Sequence, residues 1–131
     1  MTRRPTHQAM SADQLRLTTQ ANALVAQPSG EIDLSNAERL GTRIAEATPA
    51  GSVGVALDLT DVTFIDSFGI YVTIGLSQRL AKDRQSLVLV VPEGSPLLGI
   101  FRVSNVESHL RIVGTIDEAL GMLEQERSTA A

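Results

Sequence analysis

The spacing of apolar residues changes several times along this chain, and each change marks an element. Leu15-Arg16-Leu17-Thr18 alternates weakly and predicts a short strand. Ala23-Leu24-Val25-Ala26 predicts a second, with residues 20–22 as the turn and Gly30-Glu31-Ile32-Asp33 as the close. Pro28 falls inside this region and calls for an edge position or a bulge, because proline has no N–H to give a ladder. Ala37, Leu40, Ile44 and Ala47 then recur at helical spacing, opposite Glu38, Arg39, Arg43 and Glu46. Ser35 followed by Glu38 is a capping-box pattern at the start of that helix, and Thr48-Pro49-Ala50-Gly51 stops it. Val53, Val55, Leu57 and Leu59 alternate with Gly54, Ala56 and Asp58, the period of a strand. A helix follows over 67–83. Its first turns are apolar almost all round, and only later do Gln78, Arg79, Lys82 and Arg84 supply a wet face. Leu87-Val88-Leu89-Val90-Val91 is a continuous apolar run, as expected of a parallel strand buried on both faces. Ser95-Pro96 opens a short helix whose apolar side is Leu97, Leu98, Ile100, Phe101 and Val103. Residues 110–113 form the last strand. Thr115 and Glu118 repeat the capping box and open a helix through Glu124.

Strands alternating with helices imply parallel pairing and right-handed crossovers. The fold class is α/β: a single mixed sheet of about five strands with about four helices, the opening two strands forming an antiparallel hairpin at one edge. One layer of helix is expected against the sheet, with the helices led by Ser35 and Ser67 on one face. Leu57, Leu59, Leu89 and Val91 should be buried. No repeat or linker is visible, so residues 14–126 read as one domain. Residues 1–13 have no periodicity and are expected to be a disordered arm, and residues 127–131 to fray.

Composition narrows the function. A chain of 131 residues suits one sizeable core. Aromatic residues are few, so that core is aliphatic. The net charge is −4 and the basic residues do not gather into a stripe, which argues against nucleic-acid binding. The absence of cysteine removes disulfides, thiolate chemistry and Cys-ligated zinc, and points to the cytoplasm. No apolar run approaches the ~20 residues that span a bilayer, and residues 1–12 do not resemble a secretory signal.

The informative stretch is residues 58–70, Asp-Leu-Thr-Asp-Val-Thr-Phe-Ile-Asp-Ser-Phe-Gly-Ile. It reads as a strand end, a tight turn and a helix start. Asp66 and Ser67 stand where a helix takes its N-cap, and Gly69 lets another surface come close to the first turn. The string closely resembles the signature of the STAS domain of bacterial anti-sigma-factor antagonists. Gly30-Glu31-Ile32-Asp33 resembles the piece that ends an early strand in that family. The similarity runs over roughly residues 15–125. The resemblance implies that Ser67 is the phosphorylated serine. It further implies that Asp33, Asp66, Ser67, Phe68, Gly69, Ile70 and Tyr71 meet the partner. That partner would be an anti-sigma factor with serine kinase activity, and a PPM-type phosphatase would reset the switch. The implied output is sigma-factor-dependent transcription, as in stress responses. Phe68 departs from the family, which often has a second serine there. A STAS domain without phosphoregulation is therefore the alternative: a scaffold, a small-ligand sensor or a transport-complex subunit. A Ser67 buried under Phe68 would favour it. Whether the chain forms a homodimer is left open.

Signatures of catalysis are missing. There is no phosphate loop, dinucleotide fingerprint or nucleophile elbow. Of the two histidines, His7 lies in the arm and His109 at the mouth of the last strand. Asp33, Asp58, Asp61 and Asp66 could converge as a hard-cation site, or serve as ordinary turn and cap residues, which is the reading adopted. No enzyme activity, cofactor or metal is expected.

Overall fold

The computed structural model describes residues 14–130. The expected arm, residues 1–13, lies outside the described residues, as does Ala131. The described residues form β1 (Leu15–Gln20), β2 (Ala23–Ile32), α1 (Ala37–Ala47), β3 (Gly54–Asp58), β4 (Asp61–Ile65), α2 (Ser67–Ala81), β5 (Ser86–Val90), α3 (Leu97–Val103), β6 (Arg111–Val113) and α4 (Ile116–Ala130). The last helix thus continues past Glu124, where the pattern ended it. A 3-10 turn, Val106–Ser108, precedes β6.

β1 and β2 are antiparallel and joined by Ala21-Asn22, with φ of 52° and 60°. Two left-handed residues are what a tight hairpin turn with the native twist requires. The sheet runs β1-β2-β3-β5-β6, with β3, β5 and β6 in parallel succession and β4 attached to β2 alone. β2 therefore serves two neighbours. Leu24 to Ala26 pair with β3, and Ser29 to Ile32 pair with β4, with the register shifting between Gly30 and Glu31. Pro28 lies between these two ladders, opposite Leu15 of β1, where its missing N–H breaks neither of them.

Two sequence expectations need correction. The sheet has a sixth strand, β4, where a tight turn was expected between strand and helix. The break before it uses neither glycine nor proline. Asp58 Oδ1 accepts from the Thr60 N–H and from Thr60 Oγ1, a side-chain turn that bends the chain out of β3. Within β4, Val62 and Ile65 are buried while Thr63 and Phe64 are exposed, so the alternation that advertises a strand is absent. The second correction concerns layers. Helices cover both faces of the sheet. α1, α2 and α3 join Leu24, Val55, Leu57, Leu87 and Leu89 in the larger core. α4 closes the opposite face, where Ala119 and Leu123 meet Val25, Ala56, Val88 and Val90. The continuous apolar run in β5 is the sequence mark of this double cover. Leu57, Leu59, Leu89 and Val91 are buried as expected, and the helices after Ser35 and Asp66 share one face and touch each other.

Candidate functional site

β2 and β4 end side by side, with Ile32 paired to Ile65. The next residue on each strand is an aspartate, so parallel pairing alone brings Asp33 next to Asp66. The Asp66 N–H donates to the Ile32 carbonyl at 3.1 Å. Asp66 is extended (φ −92°, ψ 179°) and is the N-cap of α2. Its two carboxylate oxygens hold different elements. Oδ1 accepts from the Gly69 N–H at 2.8 Å and caps the helix. Oδ2 accepts from the Leu34 N–H at 3.1 Å and fixes the loop between β2 and α1.

Ser67 is accordingly the first residue of α2 and not its cap. Its side chain is exposed. Phe68 does not cover it. Phe68 is half-buried against the larger core, with its ring centroid 6.1 Å from that of Tyr71. Gly69 is buried at the seam between α2 and the strand ends. A Cβ there would lie 2.7 Å from Ile65 Cγ1 and 3.0 Å from Ile32 Cγ2, so only glycine lets the first turn sit this close. Ile70 is buried, while Tyr71 is 71% exposed.

The β2–α1 loop is rigid by hydrogen bonding. Asp33 Oδ1 accepts from the Ser35 N–H at 2.9 Å and from Ser35 Oγ at 2.6 Å. The buried Asn36 side chain turns back onto the strand. Its Oδ1 accepts from the Asp33 N–H at 2.9 Å, and its Nδ2 donates to the Glu31 carbonyl at 2.8 Å. These bonds replace the expected capping box of Ser35 and Glu38. Asn36 is the N-cap position of α1, with no side-chain bond to the helix, because its amide is committed to the Asp33 N–H and the Glu31 carbonyl. The second box forms as expected. Glu118 Oε1 accepts from the Thr115 N–H, and the Glu118 N–H donates to Thr115 Oγ1, both at 3.1 Å.

This loop also presents Leu34, which is 70% exposed and was not singled out from the sequence. The available signal was weak: one apolar residue between Asp33 and Ser35, outside any periodic run. Ser67 follows the aspartate that holds the Leu34 backbone and lies one helical turn before Tyr71, and both of these apolar residues are exposed. The carboxylates of the adjacent Asp66 and of Asp33, which follows the neighbouring strand end, enter no ion pair among the described residues. The remaining aspartates do not join them. Asp58 is buried and bonded to Gln27 Nε2 and Thr60, and Asp61 is exposed at the start of β4. No group of three potential ligands gathers around a metal position among the described residues. His109 is exposed, at the end of the 3-10 turn.

Removing the double bracket has a measurable cost. Asp66→Ala loses the cap and frees the Leu34 N–H, and it should destabilise the domain by about 1–2 kcal/mol. Asp66→Asn keeps a capping oxygen and should lose less. Urea midpoints of the two variants check the order, and an Ala variant as stable as the wild type would refute the bracket.

No curated protein matches the chain. Solved structures share its fold at low identity. An anti-sigma factor antagonist from Mycobacterium paratuberculosis superposes with a TM-score of 0.72 at 20% identity, over 84% of this chain and 92% of that one. The Bacillus cell fate determinant SpoIIAA in its phosphorylated form gives 0.56 at 18%, over 83% and 98%. A sulfate transporter family protein from Wolinella succinogenes gives 0.66 at 16%, over 85% and 92%. No helix among the described residues is long and apolar enough to cross a membrane. The STAS domain family model matches residues 14–119, which include both strand ends, the Asp66 cap and Ser67, and this chain belongs to the STAS domain family.

Proposed function

We propose that this STAS domain is an anti-sigma-factor antagonist whose binding to a serine-kinase anti-sigma factor is switched off by phosphorylation of Ser67. The observation that carries the reading is the exposed Ser67 at the first position of α2, one turn before exposed Tyr71 and next to the aspartate that holds the loop of exposed Leu34. A kinase can reach this hydroxyl, and a protein surface pressed on it would bury the two apolar side chains. A phosphoserine there carries roughly −1.5 to −2 charges. The helix N-terminus tolerates that anion within the domain. The cost falls on the complex, where a dianion beside Asp33 and Asp66 would be stripped of water. In this reading Ser67 is a substrate, the domain has no catalytic role of its own, and a PPM-type phosphatase restores the binding form. The scaffold or transport-subunit alternative would be favoured by a serine covered by Phe68. Ser67 is instead open, and Phe68 packs inward.

The test is direct. The protein is incubated with purified anti-sigma serine kinases and Mg-ATP, and the phosphate is located by mass spectrometry. One phosphate is expected, on Ser67. Ser67→Ala should take none yet bind the kinase normally, because Asp66 supplies the cap and the alanine variant loses no capping bond. Phosphate on another residue, or none from a kinase that binds the domain, would overturn the proposal.

A further inference from the structure

We infer that the crevice outside the carboxyl ends of β5 and β6 binds an amphipathic organic cation, a small molecule with an apolar body and an ammonium group. The inference is independent of Ser67 and starts from topology. β5 leads into α3, whose Leu97 and Phe101 pack in the larger core on one face of the sheet. β6 leads into α4, whose Ala119 and Leu123 pack on the opposite face. The two strands are parallel neighbours, so the chain leaves them in opposite directions and the two helices splay apart. A crevice opens at such a point, and open parallel sheets take their ligands there. This one holds about 830 Å³, within the size range of small-molecule sites. β6 is the last strand on its side of the sheet, so no further strand among the described residues closes the crevice.

The lining selects the ligand. Leu98 of α3, Ile112 and Val113 of β6 and Met122 of α4 border this space, and all four are only half-buried. An apolar body would complete their burial. An anion is disfavoured. Helix N-termini at such crevices bind phosphate through free amides, but here the amides are already used. Glu118 Oε1 accepts from the Gly114 and Thr115 N–H groups, both at 3.1 Å. Ser95 Oγ accepts from the Leu97 N–H at the start of α3, also at 3.1 Å. The guanidinium in the lining, that of Arg111, is paired with Glu126. Two carboxylates are left over. Glu93, just past β5, and Glu107, in the 3-10 turn, line the crevice and are exposed. Neither side chain has a hydrogen bond or ion pair among the described residues. The uncompensated charge is therefore negative and borders an apolar wall, which an ammonium on an apolar body complements.

The full chain, isotopically labelled, is titrated with hexyltrimethylammonium and, separately, with hexanoate as the matched anion, and amide shifts are followed by NMR. The cation should give saturable shifts centred on Ile112 to Thr115, and hexanoate should bind about fivefold more weakly or worse. Glu93→Gln combined with Glu107→Gln should cut the affinity for the cation about fivefold. Both glutamates are exposed, so the double variant should melt with the wild type. Saturable shifts from the cation only elsewhere, or none at all, would overturn the site. Hexanoate binding as tightly as the cation, or a double variant that keeps wild-type affinity, would overturn the assignment of a cationic ligand.

Discussion

Ser67→Asp is expected to keep the melting temperature of the wild type within a few degrees while lowering affinity for the anti-sigma kinase at least tenfold. Stability is preserved because the cap is Asp66, whose Oδ1 holds the Gly69 N–H whichever residue follows it. A carboxylate in the first helical turn also interacts favourably with the helix dipole, by roughly 0.3–1 kcal/mol, which offsets repulsion from Asp33 and Asp66. Binding should suffer because the added charge follows the Asp66 bracket of the Leu34 loop and precedes exposed Tyr71 by one turn, on a face from which a bound partner would exclude water. Like charges brought together at an interface cost several kcal/mol, and a tenfold loss needs only about 1.4 kcal/mol. Isothermal titration of wild type, Ser67→Asp and Ser67→Ala separates charge from side-chain loss. The alanine variant should bind as the wild type does. The deficit of the aspartate variant should shrink in high salt to the extent that the charge stays within reach of ions. Equal affinity of the folded aspartate variant and the wild type would remove the charge switch.

Gly54→Ala should cost about 4 kcal/mol or more, a fall in melting temperature of roughly 12 °C or more for a domain of this size. Gly54 opens β3 at φ +137°, backbone that a side chain strongly disfavours. It is paired with Ser86 of β5. A Cβ would lie 2.0 Å from the Ser86 carbonyl oxygen and 2.6 Å from its nitrogen. The obstacle is backbone, so no rotamer change relieves it. β3 and β5 must part at the centre of the sheet, where Val55, Leu57, Leu87 and Leu89 form the core. Gly121→Ala is the matched control, since its new methyl group meets nothing and should be neutral or stabilising. A Gly54→Ala domain melting within 3 °C of the wild type (about 1 kcal/mol or less) would show that the strands separate more easily than the geometry implies.

What the sequence made legible follows from periodicity. β5 and α1 announce themselves because burial repeats at every residue or every third to fourth residue. The candidate site was legible through a resemblance carried by Asp66, Ser67 and Gly69, and the side-by-side ends of β2 and β4 place Asp33 next to Asp66. The rest depends on partners far away in the chain. β4 has no alternating pattern, because it is tied on one side only and leaves Phe64 exposed. Asn36 looked like part of a serine-led cap, yet its amide serves Asp33 and Glu31, a demand invisible until β2 is placed. That α4 covers the second face depends on Ala119 and Leu123, two positions too few to separate one face from the other by pattern. Leu34 has no local signal, because its importance comes from the Asp66 oxygen that holds its backbone.

The attachment of β4 to β2 alone sets how the Ser67 end of α2 is held. Four residue pairs and the Asp66 bracket join β4 and the start of α2 to the end of β2. The central ladders between β2, β3 and β5 lie outside that unit. Packing reaches further than pairing: Val62 and Ile65 of β4 and Ile70, Leu76 and Leu80 of α2 share the larger core with Leu57, Leu89 and Phe101. A change at the β2–β4 seam is therefore felt in that core as well as at Ser67, and the position of the serine and the melting temperature are coupled in this fold.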